Sequence, residues 1–368
     1  MFTQTRWTSM ENTEATTNNF LNWVEIKNFK SIKDLRLDCK RVNVFIGKPN
    51  VGKSNILEGL GLLGAEYSID KFLNGFIRYK EIKHLFYDND WEKKIQIYSD
   101  KITALIGSSV KVSVDFEYYS YPKYIPGIDT PNVRDVVLDS GGTLYELKYT
   151  GEMKDIQRAY RYNSSPYKKY DFANLDAFRG VFKEFLLPPD GHNLFGVVDK
   201  SSNLKTEFGK LFSQQGLDFV LSRDEQMFEL QRKDGFYVIK YPFFSIADTF
   251  RRFMFYITAI ESNKNSVIIF EEPEVHSFPP YTQDIAYRMI YSEENQFFVS
   301  THSPYLLQTL VSNLADDQLN VFVTYYEDYE TKVKALTPEE LGFVQEYSTD
   351  VFFNLDRFIP NARSANPA

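Results

Sequence analysis

Lys53 and Ser54 close a loop that runs from Gly47 to Gly52 in the order G-x-x-x-x-G-K-S. Such a loop wraps phosphate oxygens in backbone N–H groups at a helix N-terminus, because glycine permits close approach and left-handed turns. Lys53 is expected to reach the β and γ phosphates and Ser54 to ligate Mg²⁺, while Gly47, Asn50, Gly52 and Asn55 complete the residues expected to touch nucleotide. A second constellation lies far along the chain. Glu271 and Glu272 end one apolar run, and Thr301 and His302 end another. Adjacent acids on a strand end can divide labour: Glu271 holds the metal shell, and Glu272 orients or deprotonates the attacking water. His302 is placed to touch the γ-phosphate or that water.

A guanine-binding chain would carry N-K-x-D after a strand. The nearest stretch here, NKNS at 263–266, precedes a strand and lacks the aspartate, so ATP is the expected nucleotide. His84, His192 and His276 stand without clustered ligands, and no metal beyond Mg²⁺ is expected.

These residues need elements to hold them. VEIKNFKSIKDLRLD and RVNVFIG place apolar residues at strand intervals before the loop, and SNILEGLGLLGAEY spaces Ile56, Leu57, Leu60 and Leu63 as one helix face. VKVSVDFEYY at 110–119 alternates, the glycine pair at 141 and 142 reads as a hairpin turn, and MFELQRKDGFYVIKY reads as another around Asp234 and Gly235. Between about 151 and 215 the strand pattern fades, and YDFANLDAFRGVFKEFLL reads as helical. SVIIFEE, NQFFVSTHS and NVFVTYY are short continuous apolar runs, the mark of parallel strands buried on both faces.

Composition narrows the class further. A chain of 368 residues that is 43% hydrophobic can fill a substantial core, and its formal charge of −8 gives no global basic field for nucleic acid. The single cysteine, Cys39, excludes an internal disulfide. No apolar run approaches the roughly 20 residues that span a bilayer, so no membrane partner is expected and the cytoplasm is the expected location. DND at 88–90 reads as a surface turn.

VEIKNFKSIKDL, GKPNVGKSNILEGL, FSIADTFRRFMFYITAI, VIIFEEPEVHSFPP and FVSTHSPYLLQTL together resemble the ABC-type head ATPases of the SMC, RecF and OLD (overcoming lysogenization defect) group. The resemblance covers about 23–65 and 240–310. It implies an α/β fold: a P-loop NTPase of ABC/SMC-head type with a parallel core sheet, an antiparallel β subdomain and an inserted helical lobe. With the pattern along the chain, the expected divisions are a disordered tail at 1–20, the first half of the head at 21–150, a helical lobe at 151–215, the second half at 216–353 and an irregular tail at 354–368. By the same resemblance Glu272 is the hydrolytic base, His302 the switch histidine, EVHSFP the D-loop and Ser245 the serine that binds the γ-phosphate across a dimer. FSIAD departs from the family's LSGG, with Ile246 and Ala247 in place of both glycines, and IRYKEIKHLFYDND lacks the Q-loop glutamine. Fewer than 60 residues follow the histidine stretch, too few for the Toprim nuclease domain of OLD proteins.

The resemblance therefore implies an ATPase that forms a homodimer or higher oligomer around ATP and Mg²⁺ and controls a separate effector, a nuclease or toxin, in bacterial defence or repair. Two alternatives stay open. One is a nucleotide-gated scaffold with little turnover. The other is direct DNA binding through Lys93–Lys94, Arg251–Arg252 and the run Lys154, Arg158, Arg161, Lys168, Lys169.

Overall fold

The computed structural model describes residues 18–65, 73, 77–109, 115–122, 137, 142–158, 165–175, 177–180, 182–347 and 351–360. The expectations for residues 1–17, 110–114, Gly141, Arg161 and 361–368 lie outside them.

A six-stranded sheet forms the centre, in the order β16 (Glu330–Ala335), β15 (Leu319–Glu327), β3 (Val42–Gly47), β14 (Asn295–Ser300), β13 (Ser266–Glu271) and β9 (Tyr167–Tyr170). All neighbours are parallel except the β15–β16 hairpin. Alternate residues of the apolar strands enter two different cores. Val42, Val44, Ile268, Phe270, Phe297 and Val299 face one, while Phe45, Val267, Ile269 and Phe298 face the other. Both faces are covered, which is why these runs read as continuously apolar.

The second core lies under an antiparallel seven-stranded sheet ordered β2 (Ile32–Asp38), β1 (Trp23–Phe29), β4 (Ile95–Ser99), β5 (Ile102–Ser108), β6 (Phe116–Pro122), β7 (Thr143–Leu147) and β8 (Met153–Arg158). Between the sheets runs α1 (Lys53–Gly61). Its Gly59 lets the helix close on Ile26 and Phe29, since a Cβ there would stand 3.1 Å from Ile26 Cδ1.

The first core is roofed by α2 (Leu194–Lys200), α3 (Ser202–Ser213) and α4 (Asp248–Ser262), joined by the three-stranded sheet β10 (Asp218–Ser222), β11 (Met227–Asp234), β12 (Tyr237–Pro242). Much of the aromatic content lies here. Phe228 meets Phe178, Phe195, Phe219 and Phe243 at centroid separations of 5.2, 5.3, 5.3 and 5.3 Å, contacts worth about 1 kcal/mol each beyond their area. After β13 and β14 come α5 (Pro279–Tyr291) and α6 (Pro304–Asn313), and α7 (Pro338–Glu346) follows β16. Among the described residues no helix is long and apolar enough to cross a membrane.

The expected helical lobe at 151–215 is corrected. Among the described residues β8 and β9 occupy its first part, 171–175 is irregular, and helix begins at Leu194. YKKY, whose lysines belong to the basic run considered for DNA, instead pairs with β13 at the core edge. Lys168 is buried with its ammonium donating to Asn263 Oδ1 at 2.5 Å and Ser266 Oγ at 3.1 Å, and Lys169 is buried against Asp171 at 2.6 Å. Hydrogen bonds make burial of these ammonium groups tolerable.

Candidate functional site

Parallel registry brings three strand ends level. Phe45 pairs with Ser300 and Ser300 with Glu271, so the loop after β3, the turn after β13 and the turn after β14 leave the same sheet edge. Ligands bind at this edge in open α/β sheets. Ladder bonds continue past the strands: Glu272 N donates to Ser300 O at 3.1 Å and Thr301 N donates to Phe45 O at 3.1 Å.

The β3–α1 loop has the conformation its residues allow. Asn50 is left-handed at φ 61° and Gly52, capping α1, stands at φ 99°, where a Cβ would fall on the Thr331 hydroxyl. Lys53 is 6% exposed and its ammonium donates to Gly47 O at 2.9 Å and Lys48 O at 3.0 Å. Burial lowers its pKa, opposed by Glu272, Glu271 and Glu274. Asn55 Nδ2 donates to Ser31 Oγ at 2.6 Å, Ser31 Oγ lies 2.6 Å from Thr331 Oγ1, and Thr331 Oγ1 donates to Val51 O at 3.0 Å. This chain clamps the loop to the β1–β2 turn and to β16.

Asn50, Gly52, Lys53, Ser54 and Asn55 line a cavity of about 550 Å³ together with Ser31, Arg78, Glu272, His302 and Tyr326. Glu272 stands at φ 45°, a left-handed geometry uncommon for a side chain this long and costing about 1–3 kcal/mol. Its Oε1 is 3.3 Å from His302 Nε2. Burial first, then Lys53, lowers the His302 pKa, with Glu272 pulling the other way. These opposing influences favour the neutral imidazole over its charged form.

Glu271 has different company. Arg78 Nη2 lies 3.6 Å from its Oε1, and the buried Lys169 Nζ 3.9 Å from its Oε2. Arg78 Nε also donates at 2.8 Å to Glu58, which accepts from Lys30 as well. An alternating series Lys30–Glu58–Arg78–Glu271–Lys169–Asp171 therefore reaches the cavity through Arg78. The sequence reading missed this series, although Arg78 falls in IRYKEIKHLFYDND, where the Q-loop glutamine was sought. Ser54 lines the cavity, whereas Glu271 is not among its lining residues and faces Arg78 and Lys169; both carry hard oxygens of the kind Mg²⁺ takes. Among the described residues no group of three His, Cys, Asp or Glu forms a separate metal cluster.

Ser245 is not brought to the cavity of its own chain. It sits in a 3₁₀ turn before α4, exposed, its Oγ donating to Pro242 O at 2.7 Å. Asp248, three residues on, binds Arg252 at 2.6 Å and His276 at 3.0 Å, and Thr249 Oγ1 donates to His276 O at 2.6 Å. The FSIAD segment is thereby tied to the turn carrying EVHSF. The basic run expected for DNA is dispersed: Lys168 and Lys169 are buried, Lys154 is paired with Asp115, and Arg251 and Arg252 pair with Asp248. Lys93 pairs with Asp90 at 2.8 Å.

A family model described as AAA ATPase domain matches residues 20–212. A second, described as "AAA domain, putative AbiEii toxin, Type IV TA system", matches 149–308. The uncharacterized protein MJECL10 of Methanocaldococcus jannaschii is 34% identical over 85 residues, 20% of this chain and 39% of that protein, so the chain spans about two fifths of the curated relative it matches. Two solved structures are similar at low identity. The SMC head domain from Thermotoga maritima is 10% identical with a TM-score of 0.41, over 86% of this chain and 99% of that one. The Smc head domain from Pyrococcus furiosus, bound to the C-terminal domain of ScpA, is 12% identical with a TM-score of 0.44, over 89% and 98%.

Proposed function

Since the chain belongs to the AAA ATPase domain family, we propose that it binds ATP in the cavity between the β3–α1 loop and the ends of β13 and β14, and hydrolyses it there. One observation carries the reading: Lys53 and the Glu272–His302 pair, 3.3 Å apart, line the same cavity. The triphosphate lies along the N-terminus of α1, where unsatisfied N–H groups and the helix dipole favour anions. Lys53 leaves the carbonyls of Gly47 and Lys48 for the β and γ phosphates, exchanging neutral acceptors for charged ones. Gly47, Asn50, Gly52 and Asn55 shape the cradle. Ser54 in the cavity, with Glu271 at the adjoining strand end, would hold Mg²⁺, which would supply neutralisation of charge on the phosphate oxygens. Glu272 orients and deprotonates the attacking water, and His302 contacts the γ-phosphate or the water.

In this reading Ser245, exposed and outside the cavity of its own chain, serves the site of a second copy, so that ATP closes a homodimer or higher oligomer. The cycle controls a separate effector, a toxin or nuclease in bacterial defence or repair; the match to the second family, whose name includes a toxin of a Type IV TA system, supports the toxin. That last step rests on family analogy. A scaffold reading with little turnover draws support from Ile246 and Ala247, which replace the glycines of FSIAD. Titrating Mg·ATP into wild type and Lys53→Ala by calorimetry tests the binding half: the wild type gives saturable heat, and the variant binds at least about 100-fold more weakly. Equal binding by both proteins would remove the cavity from the account.

A further inference from the structure

Glu272 and His302 sit on different turns, and one side chain joins those turns. Glu274 Oε1 accepts from Thr301 Oγ1 at 2.7 Å and from His302 N at 2.8 Å. Thr301 Oγ1 in turn accepts from Ser303 N at 2.9 Å, and Ser303 caps α6. On the other side the turns are joined by the backbone bond from Glu272 N to Ser300 O. The segment bearing His302 is thus fastened at two points to the segment bearing Glu272.

The fastening is costly. Part of Glu274 faces solvent as a residue, but its Oε2 is shut away from water and has no hydrogen-bond partner among the described residues. An enclosed carboxyl with one oxygen unsatisfied destabilises a fold, and an apolar side chain of similar bulk would fill the space without that penalty. We infer that Glu274 is the positioning residue that sets the Glu272–His302 contact, by holding the backbone of His302 and the hydroxyl of Thr301 with a single oxygen. Glu274 itself touches no substrate in this scheme. The inference rests on the ATPase reading for its kinetic consequence, but its geometric content stands apart from turnover.

Two measurements on Glu274→Ala, Glu274→Gln and Thr301→Val test it. The first is steady-state ATP hydrolysis with Mg²⁺. Losing the acceptor misplaces His302, so Glu274→Ala lowers kcat by about 10- to 100-fold and leaves KM within about threefold. Glu274→Gln keeps a carbonyl acceptor where Oε1 stands and retains kcat within about threefold, whereas Thr301→Val, which removes one of the two donors, falls between them. The second is the NMR titration of the His302 imidazole, which needs no turnover. In the wild type and Glu274→Gln it titrates below the ordinary histidine range; in Glu274→Ala it returns toward that range as the ring leaves the buried position beside Lys53 and Glu272. If no variant hydrolyses ATP, the enzyme reading fails while the titration still decides the role of Glu274. The inference is overturned if folded Glu274→Ala shows the wild-type His302 titration. It is also overturned if Glu274→Gln loses as much kcat as Glu274→Ala. Should the alanine variant not fold, an unchanged His302 titration in Thr301→Val overturns it equally.

Discussion

Glu58 and Glu274 both carry enclosed carboxyls that hold residues lining the same cavity, Arg78 and His302, in opposite surroundings. Glu58, on α1, is 1% exposed and meets two cations, accepting from Lys30 and from Arg78 through both Nε at 2.8 Å and the backbone N–H at 3.3 Å. Glu274, on the turn after β13, meets only neutral donors through one oxygen and nothing through the other. The first arrangement is charge-matched and joins α1 to the β1–β2 turn and to the segment of Arg78. The second leaves a deficit and gains only geometry. Burial alone therefore does not tell what a carboxyl is for; its partners do.

The largest expected effect breaks the first region. Glu58→Ala strands Lys30, whose pKa burial already lowers despite Glu58, and costs about 3 kcal/mol in urea unfolding. A loss below about 1 kcal/mol would show that the charge series is not structural. Glu274→Ala comes next, at about 1–3 kcal/mol for the donors of Thr301 and His302 left unsatisfied. The smallest effect sharpens the contrast through pH. Burial raises the Glu274 pKa, so the folded state holds that proton more tightly than the unfolded chain does. The buried carboxyl thus destabilises the fold above its folded pKa and does not below the ordinary carboxyl range. Glu274→Gln, without this ionisation, is as stable as wild type or more stable near pH 8, and its advantage shrinks as the pH is lowered. Thermal melts across pH that show Glu274→Gln less stable near pH 8 would contradict the assignment. Glu58→Gln, by contrast, is less stable than wild type throughout neutral pH.

The same two regions show what the sequence could reveal. The residues around Glu272 were readable because they are local and periodic: apolar runs in β3, β13 and β14 end abruptly in Gly47, Glu271 and Thr301, and parallel pairing makes the ends coincide. The Glu58 series was not readable. Its members lie 28 and 20 residues from Glu58, and Lys169 belongs to a core strand whose lysines disguise it. Ser245 illustrates another limit, since FSIAD matches the family spacing but sits outside the cavity of its own chain. The role of Glu274 needed coordinates as well, because the donors to its carboxylate, Thr301 and His302, lie 27 and 28 residues away.

The central claim is that Glu272, beside His302, serves a nucleotide held by Lys53. Its most direct test is Glu272→Gln, assayed for ATP turnover and, on the same preparation, for Mg·ATP affinity by calorimetry. The account predicts affinity within about threefold of wild type and turnover reduced by at least about 100-fold. Equal turnover by the two proteins, or no heat of ATP binding from either, would contradict it.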